Sequence, residues 1–268
     1  MKERLDVLLK EKHLFESREN ARIAIMEGLV YVDGAISDKP GTKIDVESEI
    51  EIRGDLCPYV GRGGLKLEKA IREFHISLNG KTCMDVGAST GGFTDCMLAK
   101  GASHVYSIDV GYGQLAWKLR NDPRVTNIEK CNFRYFEKEE LYEKIDFISI
   151  DVSFISLAII LPVAYRYLCK SGEIVCLVKP QFEAGKNEVG KNGVVKDSKV
   201  HESVLRKVIS LAERINLYPK DITFSPITGA KGNIEYLLYL SKTGKMIYNV
   251  EDDFISKIVS DSHRELKK

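Results

Sequence analysis

The stretch Thr82-Cys83-Met84-Asp85-Val86 runs without a break into Gly87-Ala88-Ser89-Thr90-Gly91-Gly92-Phe93 and then into an apolar helical pattern that reaches Lys100. A short run of buried-strand character, a glycine-rich turn and a helix, in that order, form the opening unit of an α/β sheet. The glycines matter because the turn needs torsions that a side chain forbids and because a ligand must come close to the backbone. The next strand-like run, His104-Val105-Tyr106-Ser107-Ile108, ends in Asp109. A carboxylate at that point accepts hydrogen bonds from a ribose diol, so the unit reads as a site for a nucleoside-containing cofactor.

The loop alone leaves two cofactors open. An NAD site has the same glycines, helix amino end and acid after the second strand. Asp85 tips the reading. A carboxylate before the first glycine is expected to point negative charge into the pocket, which disfavours a pyrophosphate and suits the ammonium and sulfonium of S-adenosylmethionine. On this reading Asp85, Gly87, Ser89, Gly91, Gly92 and Phe93 form the donor loop and Asp109 holds the donor ribose. The adenine is expected near Ile128-Glu129-Lys130-Cys131-Asn132.

Further along, Phe147-Ile148-Ser149-Ile150 is a strand ending in Asp151, and Glu173 to Val178 is a strand ending in Lys179-Pro180. In an open, doubly wound sheet, ligands collect outside the carboxyl ends of the strands, so both charges should face the donor. The strand Ile234 to Leu240 carries Glu235 at its start. Placed antiparallel beside the fifth strand, that start falls at the same edge. Upstream, Gly61-Arg62-Gly63-Gly64 leads into a helix with Lys66 near its beginning. Lys66, Asp151, Lys179 and Glu235 are therefore candidates for one catalytic cluster, with a structural salt-bridge network as the competing reading. Phe182 is a candidate to stack on a target base, and the polar, basic stretch from Gly185 to Lys196 a candidate loop over nucleic acid.

Composition adds boundaries. A chain of 268 residues, 44% hydrophobic and 29% charged, can bury one large core and a small second one. Its 40 basic residues against 39 acidic ones mean that any RNA surface must be a local patch. The six cysteines include no C-x-x-C pair, and Cys83 and Cys176 sit inside strand patterns, as expected of thiols in a reducing compartment. The five histidines show no ligand spacing, and no metal is expected. The amino terminus lacks a signal-peptide core, and the charge-free run Val152 to Tyr165 is too short to span a bilayer.

The organisation changes near residue 60. Leu5, Leu8 and Leu9 share a helical face over residues 5 to 13, Ser17 caps a second short helix that ends at Gly28, and Leu29 to Val32 with Asp33-Gly34 reads as a strand and tight turn. Thr42 to Ile44 and Val46 to Ile52 are further strands. The pattern Arg4-Leu5-Asp6, Leu8-Leu9, Ser17-Arg18, Ala21, Ile25, Gly28 to Gly34 and Lys39-Pro40-Gly41-Thr42 resembles the α-L RNA-binding domain. That resemblance implies that Arg4, Lys10, Lys12, Arg18 and Arg22 contact RNA phosphates. Residues 1 to 60 hold 9 basic and 13 acidic side chains. Binding then requires segregation, with Asp45, Glu47, Glu49, Glu51 and Asp55 on the later strands.

Taken together, Gly61 to Leu67, Asp85 to Asp95, Ser107 to Trp117, Ile150 to Leu157 and Val178 to Glu183 resemble the TlyA family, which joins an α-L domain to an FtsJ-like ribose methyltransferase domain and is often labelled hemolysin. The resemblance implies an α/β fold with a Rossmann-like class I methyltransferase sheet behind a small α+β domain. The expected boundaries are 1-55 for the α-L RNA-binding domain, 56-62 for the linker, 63-245 for the methyltransferase domain and 246-268 for a helical tail. It also implies S-adenosylmethionine-dependent 2′-O-methylation of cytidine in ribosomal RNA, the subunit left open. The catalytic tetrad would be Lys66, Asp151, Lys179 and Glu235, with Lys179 acting as neutral base or as cation. A cytoplasmic monomer working on ribosomal subunits without a membrane is expected. The alternatives are a non-catalytic RNA-binding assembly factor and a pore-forming hemolysin; no bilayer-length segment or barrel pattern supports the latter.

Overall fold

The computed structural model describes residues 1–26, 28–54, 57–244 and 252–266, and the chain divides into two units, Met1–Pro58 and Tyr59–Lys268. In the first unit, strand β1 (Lys2–Arg4) passes directly into helix α1 (Leu5–Glu11), and helix α2 (Arg18–Met26) follows. Ser17 caps α2, its Oγ accepting the Asn20 N–H at 3.0 Å, and Gly28 ends the turn beyond it with φ 74°. Strands β2 (Val30–Val32) and β3 (Ala35–Ile36) form a hairpin through Asp33-Gly34, β4 (Lys43–Asp45) pairs with β1, and β5 (Ile50–Ile52) pairs with β2. Leu5, Leu9, Phe15, Ala21, Ala24, Ile25 and Val30 make the core. The small size of that core is typical of a domain with little surface to bury.

The second unit starts earlier than the linker expectation. Tyr59 is buried, its ring packs so tightly on Gly64 that a Cβ there would collide, and the Val60 N–H donates to Asp95 Oδ2 at 2.8 Å. Residues 59–62 are thus part of the second unit, because an aromatic anchor and a hydrogen bond outweigh the loop-like composition. Asp55 and Leu56 lie outside the described residues.

From there the chain alternates: helix α3 (Gly63–Glu73), β6 (Thr82–Val86), α4 (Gly92–Ala99), β7 (His104–Ile108), the short α5 (Trp117–Arg120), β8 (Val125–Ile128), β9 (Ile145–Ile150), α6 (Leu157–Tyr167), β10 (Leu168–Val178), the one-turn α7 (Pro180–Glu183), α8 (Ser198–Arg214), β11 (Tyr218–Phe224), β12 (Tyr236–Ser241) and α9 (Asp252–Leu266). The seven-stranded sheet has the order β11-β12-β10-β9-β6-β7-β8. Strands β6 to β10 are parallel, and β12 runs antiparallel between β10 and β11. The order reverses between β6 and β9, which opens a crevice at their carboxyl ends where ligands bind in such sheets. The reversed β12 brings its own beginning, next to Glu235, to that same edge.

The expected C-terminal tail is not a tail where it is described. Ile255 and Val259 of α9 are fully buried, and Ser262 Oγ lies 3.1 Å from the Tyr236 hydroxyl. Full burial of such side chains is worth about 1.5–3 kcal/mol each, so α9 is a core helix packed on α8 and β11. The helix expected there is present over Asp252–Leu266, and its charges mask an amphipathic face. The remaining tail positions 246–251 and 267–268 lie outside the described residues.

Candidate active site

The four charged residues converge, and they do so in a line. Glu235 Oε2 lies 2.6 Å from Lys66 Nζ, Lys66 Nζ lies 3.7 Å from Asp151 Oδ2, and Asp151 Oδ1 lies 2.5 Å from Lys179 Nζ. Each arrives from a different element: Lys66 from the first turns of α3, Asp151 and Lys179 from the ends of β9 and β10, and Glu235 from the start of β12. Lys179 also donates to Ser153 Oγ at 3.2 Å. Burial opposes the charge on Lys66, but Asp151 and Glu235 outweigh it and raise its pKa above the usual lysine range.

Beside this cluster lies a cavity of about 530 Å³, a size suited to a small-molecule cofactor. Two glycine-bearing stretches contribute to its lining, Gly61 to Gly63 and Gly87 to Gly92, and they pack directly on each other, a Cβ at Gly92 meeting the Gly61 carbonyl oxygen at 3.0 Å. At Gly87 the backbone has φ 87°, and a Cβ would collide with the Asp151 carbonyl oxygen. Only glycine permits both the torsion and the approach. Of the residues expected at the donor, Gly87, Ser89, Gly92 and Phe93 line the cavity, together with Lys66 and Asp151. Gly91 instead backs onto Leu115 and Leu119. Asp109 sits behind the loop, taking the Ser89 N–H on Oδ2 and the Gly111 N–H on Oδ1, both at 2.7 Å. Each of its oxygens retains a lone pair that a ribose hydroxyl can use. The Glu129 carboxylate, in the segment expected near adenine, is tied to Arg120 and to the Gly113 N–H.

Asp85 corrects one expectation. It does not point into the cavity: its side chain is fully buried, with the Thr94 hydroxyl 2.7 Å from Oδ2 and the Ser149 hydroxyl 3.1 Å from Oδ1. Burial pushes its pKa up to about 7. The alternation of β6 turns its side chain inward, so it braces the helix that follows the loop. The carboxylate that faces the cavity, and that suits a positively charged sulfur, is Asp151.

Some site residues were not singled out in the sequence. Arg62, Thr228 and Lys231 line the cavity. Phe154 stands 91% exposed with φ 63°, its ring 4.9 Å from that of Phe182, which in turn lies 5.9 Å from Lys179 Nζ. A bulky side chain in that backbone region is uncommon. Glu183 fixes the loop that carries it, accepting from the Ser156 hydroxyl and the Leu157 N–H at 2.7 Å each. Helical and strand periodicity carries no signal for such loop geometry.

Residues 59–242 match the FtsJ-like methyltransferase family and residues 3–50 the S4 domain. The 16S/23S rRNA (cytidine-2′-O)-methyltransferase TlyA of Mycobacterium tuberculosis is 41% identical over 238 residues, 88% of this chain and 89% of that one. The chain belongs to the TlyA family. Another relative, from Bacillus subtilis, provisionally named rRNA methyltransferase YqxC, is 49% identical over 270 residues, covering 100% of this chain and 96% of its own. A solved structure from Streptococcus thermophilus, provisionally called a hemolysin, is 48% identical with a TM-score of 0.79, covering 99% of this chain and 97% of that one.

As a TlyA-family protein the chain is a methyltransferase, and its cofactor is S-adenosylmethionine. The cavity fits that group: glycine backbone and the part-exposed Asp151 carboxylate line it, and Asp109 stands behind the loop at the end of the second strand. Among the described residues no helix is long and apolar enough to cross a membrane, and no cluster of three or more His, Cys, Asp or Glu side chains is placed to hold a metal.

In the S4 unit, Arg4 and Arg18 both grip Asp6. Arg4 donates to Oδ1 at 3.0 Å from Nε and Arg18 donates to Oδ2 at 2.8 Å. Burial pushes the Asp6 pKa up, but the bonds from Arg4 and Arg18 outweigh it and hold it below the usual carboxylate range. Lys10 and Lys12 are exposed, and Arg22 pairs with exposed Glu19 at 3.2 Å.

Proposed function

We propose that this protein methylates the 2′-hydroxyl of a cytidine in ribosomal RNA, with Lys66, Asp151, Lys179 and Glu235 as its catalytic residues. The observation that carries the reading is the unbroken line of contacts from Glu235 through Lys66 and Asp151 to Lys179, whose two middle members line the glycine-bearing cavity. When bound, S-adenosylmethionine supplies a methyl group on a positively charged sulfur. A ribose hydroxyl is a poor acid, so the protein must hold it in line with that methyl and manage its proton as the carbon–oxygen bond forms. Lys179 holds the attacking oxygen and stabilises its developing negative charge, while Asp151, open to the cavity, orients Lys179 and accepts the proton. Lys66, clamped by Glu235, fixes Asp151 from the other side.

The donor loop in this reading comprises Gly87, Ser89, Gly92 and Phe93, with Asp109 on the donor ribose and Asp85 and Gly91 supporting the loop from behind. Phe154, braced by Phe182, stacks on the target base. Arg4, Lys10, Lys12, Arg18 and Arg22 bind phosphates and set the position of the RNA without reading its sequence. In this reading the protein acts as a monomer in the cytoplasm, at the ribosomal subunits.

The test is transfer of labelled methyl from S-adenosylmethionine to unmodified small and large ribosomal subunits separately, with Lys179→Ala alongside. Label should enter at least one subunit with the native protein and fall by about 100-fold or more with the variant, while donor binding persists. Native protein that binds donor but labels neither subunit would refute the substrate assignment. Equal labelling by Lys179→Ala would refute its role. Release of dye from liposomes by the purified protein would instead favour the hemolysin reading.

A further inference from the structure

Next to the donor cavity lies a second hollow, a groove of about 1010 Å³ whose walls include Lys191, Asn192, Val195 and Ile234. Lys231 is the residue common to the linings of the two hollows. Its backbone is left-handed, φ 58°, in a tight turn closed by the Gly232 N–H donating to the Gly229 carbonyl at 3.1 Å. That turn rests on the catalytic cluster, for a Cβ at Gly229 would collide with Glu235 Oε1. From this perch the Lys231 amine reaches to 3.9 Å of where a Gly193 Cβ would stand, across the mouth of the groove.

The groove is a built feature. Buried Asn233 ties its two walls together: Oδ1 accepts the Val195 N–H at 3.2 Å, Nδ2 donates to the Gly193 carbonyl at 3.0 Å, and its own carbonyl accepts the Gly229 N–H at 2.8 Å. The charges in it are unequal in availability. Glu188 folds back onto the Gly185 N–H and Asp197 caps α8 through the Lys199 N–H, so both carboxylates are engaged locally. Lys191 and Lys231 form no hydrogen bond or ion pair among the described residues. The outcome is a trough with valine and isoleucine in its walls and two uncommitted cations, one of them at the doorway to the catalytic cavity.

We propose that this groove holds the nucleotide that adjoins the methylated ribose in the RNA strand, and that Lys231 binds the phosphate linking the two. The inference rests on the reading of the protein as an RNA ribose methyltransferase. A ribose placed with its 2′-oxygen at Lys179 carries a phosphodiester on the neighbouring 3′-carbon, so a phosphate must lie close to the catalytic cavity. The valine and isoleucine walls and the lysine stems suit the faces of a ribose and base, and the ammonium groups suit the backbone. Lys231 is a positioning residue for the RNA and takes no part in methyl transfer itself.

The experiment compares the native protein with Lys231→Asn, which removes the charge with a residue that tolerates left-handed backbone, and with Lys231→Arg, which keeps it. For the ribosomal subunit that the native protein methylates, Lys231→Asn should raise KM for the subunit about tenfold and lower the slope of log affinity against log salt by about one. Lys231→Arg should restore most of the RNA affinity. An unchanged KM and salt slope in Lys231→Asn, or a loss confined to donor binding, overturns the proposal. Should the native protein methylate neither subunit, the functional reading fails on its own. The salt dependence of ribosomal RNA binding by native protein and Lys231→Asn then still decides whether the groove holds RNA.

Discussion

Two clusters in this molecule each contain a carboxylate between two cations, and these triads are built inside out relative to each other. In the S4 unit, Asp6 is fully buried while the side chains of Arg4 and Arg18 are 44% and 52% exposed. In the methyltransferase unit, Lys66 and Lys179 are 10% and 9% exposed, and the carboxylate between them, Asp151, is the more open member at 20%. The difference lies in which partner meets the solvent. Buried acid with exposed guanidinium groups makes a stiff, donor-rich fork for phosphate. Buried amines around a reachable acid form a dry, electrostatically strong site whose charges act on a reacting group.

The largest way to break this contrast is Glu235→Gln. It leaves Lys66 buried with Asp151 at 3.7 Å as its remaining carboxylate neighbour, so the loss of stability is at most about 3–5 kcal/mol, the cost of a buried charge left without a partner. Urea unfolding should show that loss, and methyl transfer should fall by about 100-fold or more in the variant that still folds. The pH dependence has a definite sign. Because the folded pKa of Lys66 is raised, its contribution to stability is present below the unfolded lysine value of 10.5 and is lost as pH rises through the folded value. In Glu235→Gln the loss should set in at lower pH. An unfolding profile identical to the native one would show that Glu235 does not hold Lys66.

Asp6→Asn sharpens the other half, since charge count and geometry predict opposite signs. If Arg4 and Arg18 bind RNA as proposed, removing the negative charge beneath them raises affinity where only net charge matters. If Asp6 exists to aim Arg4 and Arg18, affinity falls, by about threefold to tenfold. A filter-binding titration at fixed salt distinguishes the two, and a rise in affinity would end the comparison drawn above. The smallest effect is expected for Arg22→Ala. Arg22 is already paired with exposed Glu19, and its removal should weaken RNA binding by no more than about twofold, with a salt-slope change below one.

Much of this architecture was legible in the residues because it obeys short-range rules. The strand, glycine turn and helix from Thr82 to Lys100, the Ser17 cap and the placement of Asp151 and Lys179 at strand ends follow from periodicity and from where charge interrupts apolar runs. Glu235 was legible once β12 was taken as antiparallel. What escaped depends on direction and distance. Whether Asp85 faces the ligand or the core is a matter of which side of β6 its Cβ leaves. That α9 packs into the core depends on Ile255 and Val259 meeting α8 and β11 far back in sequence. The exposure of Phe154 and the doorway position of Lys231 come from left-handed loop torsions, for which neither residue type gives a sign.

The collision that any side chain at position 87 would have with the Asp151 carbonyl has a consequence for redesign. The glycine loop that lines the cavity and the strand end that carries the Asp151 carboxylate touch backbone to backbone. A substitution at position 87 therefore cannot reshape the cavity alone, because one added β-carbon displaces the strand end as well. Changes in the Phe154 loop, the Lys231 turn or the S4 unit leave that shared wall in place.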